Sequence, residues 1–447
     1  MPAAGAPAAR AKYSLLDDYS EGAHPEVLAA LLRSNGTQEV GYGRDTFSEE
    51  AKHHIRTHLG NQDVGVFFVP SGTSANAISI AACLRPHEAV IAASSGHIVT
   101  RETGAVEASG HKIINVVPEN GKLTPATISK ALDDNWHFPH MAKPRLVYIS
   151  NATEIGTVYT KAELTAIKRL CEENGLLLFV DGARIGCALT SSKNDVTLKD
   201  ILELTDIFWI GGTKNGALLG EAVVVKHPQL AEDFEFFVKQ HGSLLAKGRI
   251  MGVQFAELFR ETLYFDLARQ ANRAAEKLSR CIVGAGYALR AETETNQVFA
   301  VLPLELVKKL QQSFSFYIWE KYDDEWAVIR LLTTWATDPE QLERFKHCGP
   351  RLSAAAAAAA GSPGTCSQMR NAILLIAETL HRDEPVLAGL GAVVYNQTAG
   401  ERSMTSTIKS RPSSHRLVPW LASVQRHQHV LSGPGIEPSI RCSHCFA

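Results

Sequence analysis

What this chain of 447 residues lacks first is an excess of charge: 45 Lys and Arg face 47 Asp and Glu, for a net charge of −2. That balance offers no basic face to nucleic acid or to an anionic membrane surface, so neither partner is expected. Long apolar runs are missing too. Stretches such as 176–180 and 222–225 are far too short to span a bilayer. The opening residues, MPAAGAPAARAKYS, contain no apolar h-region and do not read as a secretory signal; a disordered leader over residues 1–15 is expected. Cysteine is scarce. Eight in the whole chain cannot make a disulfide scaffold, and Cys83, Cys171 and Cys187 stand among apolar or small neighbours as reduced core residues. Cys442 and Cys445 form a C-x-x-C beside His444, with His427 and His429 upstream, but no second pair at ligand spacing completes a zinc site. No metal is expected, and the reduced thiols point to the cytoplasm.

What is present is an alternating pattern. With 45% hydrophobic residues the chain can bury a sizeable core. Apolar or β-branched runs at 64–69, 89–92, 112–117, 145–150, 176–181, 207–211 and 220–226 alternate with helical patterns at 74–84, 100–108, 124–133, 161–174 and 197–204. Such alternation predicts an α/β domain over 16–243, a mostly parallel seven-stranded sheet covered on both faces. Thr124-Pro125 supplies a helix start and Asn174-Gly175 a helix stop. Beyond residue 239 the pattern changes to one long helical stretch, 244–278. Strand-like runs at 297–302 and 326–334 follow, separated by a helix at 305–313, which predicts a small α+β domain over 244–346. Residues 347–447 change character again. They begin with an alanine run at 354–360 and a Gly-Ser-Pro-Gly turn, and apart from an apolar patch at 371–380 they read as low-complexity, disordered chain. A misread gene end fits that composition equally well.

Three segments carry chemistry. Val69-Pro70-Ser71-Gly72-Thr73-Ser74 joins a strand to a helix, and its free backbone N–H groups suit a phosphate, though a plain turn and N-cap fit as well. Asp181 closes a buried strand, where α/β sheets bind ligands. It needs a cation there, either a protonated pyridine nitrogen or the nearby Arg184. Lys214 lies in the Gly-rich loop after the run at 207–211. A lysine held between buried strands loses part of its affinity for a proton and gains nucleophilicity toward a carbonyl, the property a Schiff base requires. The G-x-x-x-x-G-K-[ST] spacing of a nucleotide loop is absent.

Taken in order, these segments and His97 resemble the threonine aldolase and β-eliminating lyase family of fold type I pyridoxal phosphate enzymes. The matching stretches are DDYSEGAHPEVLAAL, GYGRD, FFVPSGTSAN, AVIAASSGHI, ATEIGTVYT, LLLFVDGARIGCAL, IGGTKNGALLGEAVV and AVIRLLTTWAT, and they cover residues 16–345. The form of the lysine loop is similar to the branch of low-specificity L-threonine and phenylserine aldolases. The resemblance implies pyridoxal 5'-phosphate as cofactor, bound through Lys214, with Asp181 on the pyridine nitrogen and His97 stacked on the ring and nearest the β-hydroxyl proton. It implies Gly72, Thr73 and Thr213 around the phosphate, and Arg184 and Arg330 on the substrate carboxylate. Tyr42, with Lys247 and Arg249, would reach in from a neighbouring subunit of a homodimer or homotetramer. Thr153 stands where many relatives carry a histidine that touches the substrate hydroxyl, and Asp17 where many have a serine. The reaction this resemblance implies is retro-aldol cleavage of L-threonine, L-allo-threonine or a related β-hydroxy-α-amino acid such as phenylserine to glycine and an aldehyde, a step of amino-acid metabolism and glycine biosynthesis. β-Elimination or amino transfer on the same fold, or a catalytically silent binding relative, are the alternatives.

Overall fold

A computed structural model of the chain describes residues 12–348. Residues 1–11 of the expected leader, the alanine run, the 371–380 patch and the C-x-x-C lie outside the described residues. The described chain opens with a short strand β1 (Tyr13–Ser14) and two helices, α1 (Pro25–Ser34) and α2 (Thr46–Leu59). Next come β2 (Gly65–Val69), α3 (Gly72–Cys83), β3 (Glu88–Ala93), the one-turn helices α4 (His97–Thr100) and α5 (Ala105–Ala108), and β4 (Lys112–Val116). Then follow α6 (Pro125–Asp134), β5 (Lys143–Ser150), α7 (Lys161–Glu173), β6 (Leu177–Asp181), α8 (Ile185–Leu189) and α9 (Leu198–Leu204). The hairpin β7 (Ile207–Gly211) and β8 (Glu221–Val225) leads into α10 (Pro228–Glu232), α11 (Phe234–Gln240), α12 (Arg249–Phe259) and α13 (Leu263–Gly284). The last part holds β9 (Ala288–Leu289), β10 (Gln297–Pro303), α14 (Leu304–Leu310), β11 (Phe314–Ser315), β12 (Tyr317–Lys321), β13 (Trp326–Leu332) and α15 (Pro339–Cys348).

Seven strands form the main sheet in the order β2-β8-β7-β6-β5-β3-β4. All neighbours from β7 to β4 run parallel, and β8 is antiparallel to both β7 and β2. Every residue of β3, β7 and β8 is buried, which is why these strands read as unbroken apolar runs rather than as alternation. Helix starts follow side-chain chemistry: Thr124, Thr160 and Thr197 each close a capping box with the residue three positions on. A four-stranded antiparallel sheet, β12-β13-β10-β9, forms the smaller part.

Several expectations are corrected. Helices α1 and α2 went unread, although Asp45 caps α2 and Ala51, Ile55 and Leu59 recur at its buried face. The helix expected over 100–108 is broken, because Thr103 and Gly104 both take a left-handed backbone between α4 and α5. The stretch 244–278 is likewise two helices, interrupted at residues 260–262. β12 lies between the two strands expected for the small domain. The leader expected up to residue 15 is shorter: β1 pairs in parallel with β11, and Leu15 is buried in the small core. One core reaches from Ala23 to Leu267 and the other takes in Ala274, Ala275 and Leu278, so the changeover falls along α13 rather than at residue 243. No described helix is long and apolar enough to cross a membrane, and among the described residues no cluster of three His, Cys, Asp or Glu could hold a metal ion.

Candidate active site

The C-terminal ends of β3, β5, β6 and β7 deliver side chains to one crevice, the position at which parallel α/β sheets bind ligands. A cleft of about 380 Å³ lies there. His97 enters it after β3, Ser150 at the end of β5 with Ala152 and Glu154 beyond it, Asp181 at the end of β6 with Arg184 beyond it, and Lys214 from the loop after β7. Gly72 and Asn76 on the first turns of α3 complete the wall.

Asp181 accepts hydrogen bonds from three donors. Its Oδ2 accepts the Tyr148 hydroxyl at 2.5 Å and Nδ2 of Asn76 at 2.9 Å, and its Oδ1 accepts the Ala183 N–H at 2.9 Å. Burial and the Asp181 charge together push the Tyr148 hydroxyl well above the ordinary tyrosine range, so it stays a donor. The ion pair open to Arg184 is made elsewhere. Its Nε and Nη2 clamp the two oxygens of Asp18 at 2.6 and 2.9 Å, and Asp18 also accepts Nδ2 of Asn296 at 3.0 Å. Burial alone would raise the Asp18 carboxyl; Arg184 and Lys214 outweigh it and bring the group down to about 2.

Lys214 lines the crevice. Burial lowers its affinity for a proton, and the neighbouring Arg184 charge lowers it further. Its Nζ lies 6.0 Å from the centroid of the Tyr19 ring and makes no hydrogen bond or ion pair among the described residues. Behind it, Glu221 accepts the Gly212 N–H and the Thr213 hydroxyl, each at 2.8 Å, and burial pushes its carboxyl up to about 7. Thr213 is thus engaged with Glu221 and does not line the cleft, and Thr73 sits half-buried beside Gly72. At Gly72 a Cβ would come within 2.9 Å of the Trp209 ring.

The loop after β5 departs from expectation. Thr153 is buried with its hydroxyl 2.7 Å from that of Thr157, turned away from the cleft. Glu154 faces inward instead. Its Oε1 accepts the Ser150 hydroxyl at 2.7 Å and the His97 N–H at 3.0 Å, and burial raises its carboxyl above the ordinary range. The His97 ring meets Glu102, with Nδ1 and Oε1 2.7 Å apart.

Arg330 is not among the residues lining the cleft. Its guanidinium stacks on Tyr317 and Trp319, 5.0 and 4.7 Å from the ring centroids, while its Nε is buried without a partner. Burial and the Arg184 charge both destabilise its protonated form, which marks a place for an anion. Tyr42 does not line this cleft; it is exposed, in a left-handed backbone conformation, with the Lys239 ammonium 4.7 Å from its ring centroid. Arg249 donates to the carbonyls of Ser34 and Thr37, and Lys247 does not line the cleft. Asp18, Asn76, Glu102, Glu154, Trp319 and Glu221 are the residues that sequence reasoning missed.

The family profile of the beta-eliminating lyases matches residues 16–304. The low specificity L-threonine aldolase of Pseudomonas aeruginosa is 36% identical over 338 residues, 74% of this chain and 94% of that protein. That of Saccharomyces cerevisiae is 30% identical, over 64% of this chain and 74% of its own length. Among solved structures, a threonine aldolase of Leishmania major superposes with a TM-score of 0.74 at 43% identity, covering 75% of this chain and 98% of the other. An aspartate aminotransferase of Thermus thermophilus, 16% identical and with a TM-score of 0.58 over 75% of this chain and 90% of the other, shares the fold.

Proposed function

The chain belongs to the beta-eliminating lyase family, and from that premise we propose that it is a pyridoxal phosphate-dependent carbon–carbon lyase. Its substrates in this reading are L-threonine, L-allo-threonine and related β-hydroxy-α-amino acids such as phenylserine, cleaved to glycine and an aldehyde. The observation that carries the reading is Lys214: a buried amine with depressed proton affinity and no hydrogen bond or ion pair among the described residues, in the same cleft as an Asp181 that accepts three hydrogen bonds. That donor set fits the cofactor. A buried amine suits its aldehyde, a carboxyl group at a strand end suits a ring nitrogen, and the start of α3 at Gly72 suits its phosphate.

When bound, pyridoxal phosphate supplies an electron sink for the bond broken at the α-carbon. Lys214 would hold it, Asp181 would keep its ring nitrogen protonated, and His97 would lie against the ring. Gly72, Thr73 and Thr213 would surround the phosphate, Thr213 while also braced on Glu221. The Nη1 of Arg184, uncommitted to Asp18, and the partnerless Nε of Arg330 offer donors for the substrate carboxylate. Two such contacts would orient the scissile Cα–Cβ bond, and orientation selects among the reactions open to one cofactor. Thr153 enters by bracing the loop that presents Glu154. Tyr42 would serve a second copy of the chain in a homodimer or homotetramer, a place its exposure supports. A cytoplasmic role in glycine formation belongs to the same proposal.

Purified protein supplied with pyridoxal phosphate is expected to release acetaldehyde and glycine from L-threonine, and benzaldehyde and glycine from L-phenylserine. Lys214→Ala is expected to abolish release while its melting temperature stays close to that of the parent. Pyruvate and ammonia in place of aldehyde would replace this reading with β-elimination.

A further inference from the structure

Behind His97 lies a chain of hydrogen bonds whose direction can be read from one end. The Trp209 indole N–H can only donate, and it does so to Oδ1 of Asn76 at 3.0 Å. The Asn76 amide is therefore oriented without ambiguity, its Nδ2 donating to Oε1 of Glu102 at 2.7 Å and to Oδ2 of Asp181 at 2.9 Å. Glu102 is fully buried, and Oε1 takes the Asn76 proton as an acceptor. His97 Nδ1, 2.7 Å from the same oxygen, must then donate to it. With its proton held on Nδ1, the neutral ring carries a bare lone pair on Nε2. That atom has no partner among the described residues, and the ring borders the cleft.

We propose that Glu102 is a positioning residue for His97, confining the ring proton to Nδ1 so that Nε2 accepts the β-hydroxyl proton of the substrate. The second half of this rests on the aldolase reading. The step balances: the substrate O–H bond breaks as N–H forms at Nε2, the carbonyl of the aldehyde forms as Cα–Cβ breaks, and the electron pair stays with the α-carbon. The imidazolium so formed faces a buried carboxylate that offsets its charge. The charged groups around His97 are Glu102, Glu154, which accepts its backbone N–H, and Asp181, Lys214 and Arg184 in the same cleft. A merely structural role does not explain Glu102. Its Oε2 is buried without a partner, a cost that an apolar side chain would avoid.

Two variants test this. In cofactor-free protein labelled with 15N at histidine, the parent is expected to show the His97 proton on Nδ1. Glu102→Ala is expected to show a mixture of the two tautomers, with kcat for aldehyde release about 100-fold lower and KM within about threefold of the parent. Glu102→Gln keeps an acceptor without the charge; it is expected to retain the Nδ1 proton and to lose about tenfold in kcat. An unchanged tautomer in Glu102→Ala, or parental kcat in both variants, would overturn the proposal. Equal losses in kcat, KM and melting temperature for the isosteric Glu102→Gln would also overturn it, as the mark of a structural residue. Because the ring-proton spectrum needs neither cofactor nor substrate, a parent protein that released no aldehyde would sink the aldolase reading and leave the Glu102–His97 pairing still tested.

Discussion

At the scale of single residues the site joins a tightly paired buried ion pair to buried groups that have no such partner among the described residues. Arg184 and Asp18 are nearly free of solvent, with side chains 13% and 1% exposed. Asp18→Ala leaves the guanidinium buried and unpaired and is expected to lower unfolding stability by about 3 kcal/mol in urea titrations. Because the Asp18 carboxyl is held near 2, its contribution is present above the ordinary aspartate range and is lost as pH falls toward that value. Glu221 has the opposite sign. Burial lifts its carboxyl from 4.5 to about 7, so the folded state holds that proton more tightly than the unfolded chain. Its contribution is full at pH values below 4.5 and disappears as pH rises through 7. Glu221→Gln, which can still accept from Gly212 and Thr213, is expected to lose less melting temperature between pH 5 and pH 8 than the parent does. An identical slope in the two proteins would contradict this. Asp181 and Lys214 could be found in the sequence because each follows a buried strand visible as an apolar run. The partner of Arg184 could not, since Asp18 lies 166 positions away and only the folded chain brings the two together.

At the scale of elements, what matters is where regular structure stops. The sequence pattern from 100 to 108 suits a continuous helix, and a helix there would carry Glu102 away with its own turn. The left-handed Thr103 and Gly104 keep the chain from continuing α4, and Glu102 folds back to meet Nδ1 of the His97 ring. Helical periodicity cannot register such a break, because it depends on two backbone conformations and not on which residues are apolar. Conversely, the strand ends were read closely: the run expected at 207–211 is β7, residue for residue. Beside it, β6 and β7 approach at Gly182, where a Cβ would lie 1.8 Å from the Trp209 carbonyl oxygen. Gly182→Ala must push the two strand ends apart. It is expected to cost about 3 kcal/mol in urea unfolding and to weaken cofactor retention on dialysis.

At the scale of the whole described molecule, the two cores are joined by α13 and by a stack of charges and rings. Arg101, just past α4, lies 5.6 Å from the Trp319 ring of the exposed strand β12, and Arg330 of β13 lies 4.7 Å from the same ring. Trp319→Ala removes the platform of Arg330 and is expected to raise KM for L-threonine about fivefold with kcat little changed. A fall in kcat at constant KM would show that Trp319 acts otherwise. The hairpin that carries Lys214 has a consequence for the birth of the protein. β7 and β8 pair antiparallel across the connection 212–220, whereas β6 meets β5, and β5 meets β3, only after longer crossovers have been closed. Local pairing is quick and crossover pairing slow, so the lysine turn should be formed while the walls that will enclose it are still apart. In pulsed hydrogen exchange during refolding, amides of Phe208 and Val224 are expected to gain protection before those of Val90 and Val147. The nascent chain would then carry its reactive amine in water first, and the amine's hold on its proton would weaken only as the crevice closed around it.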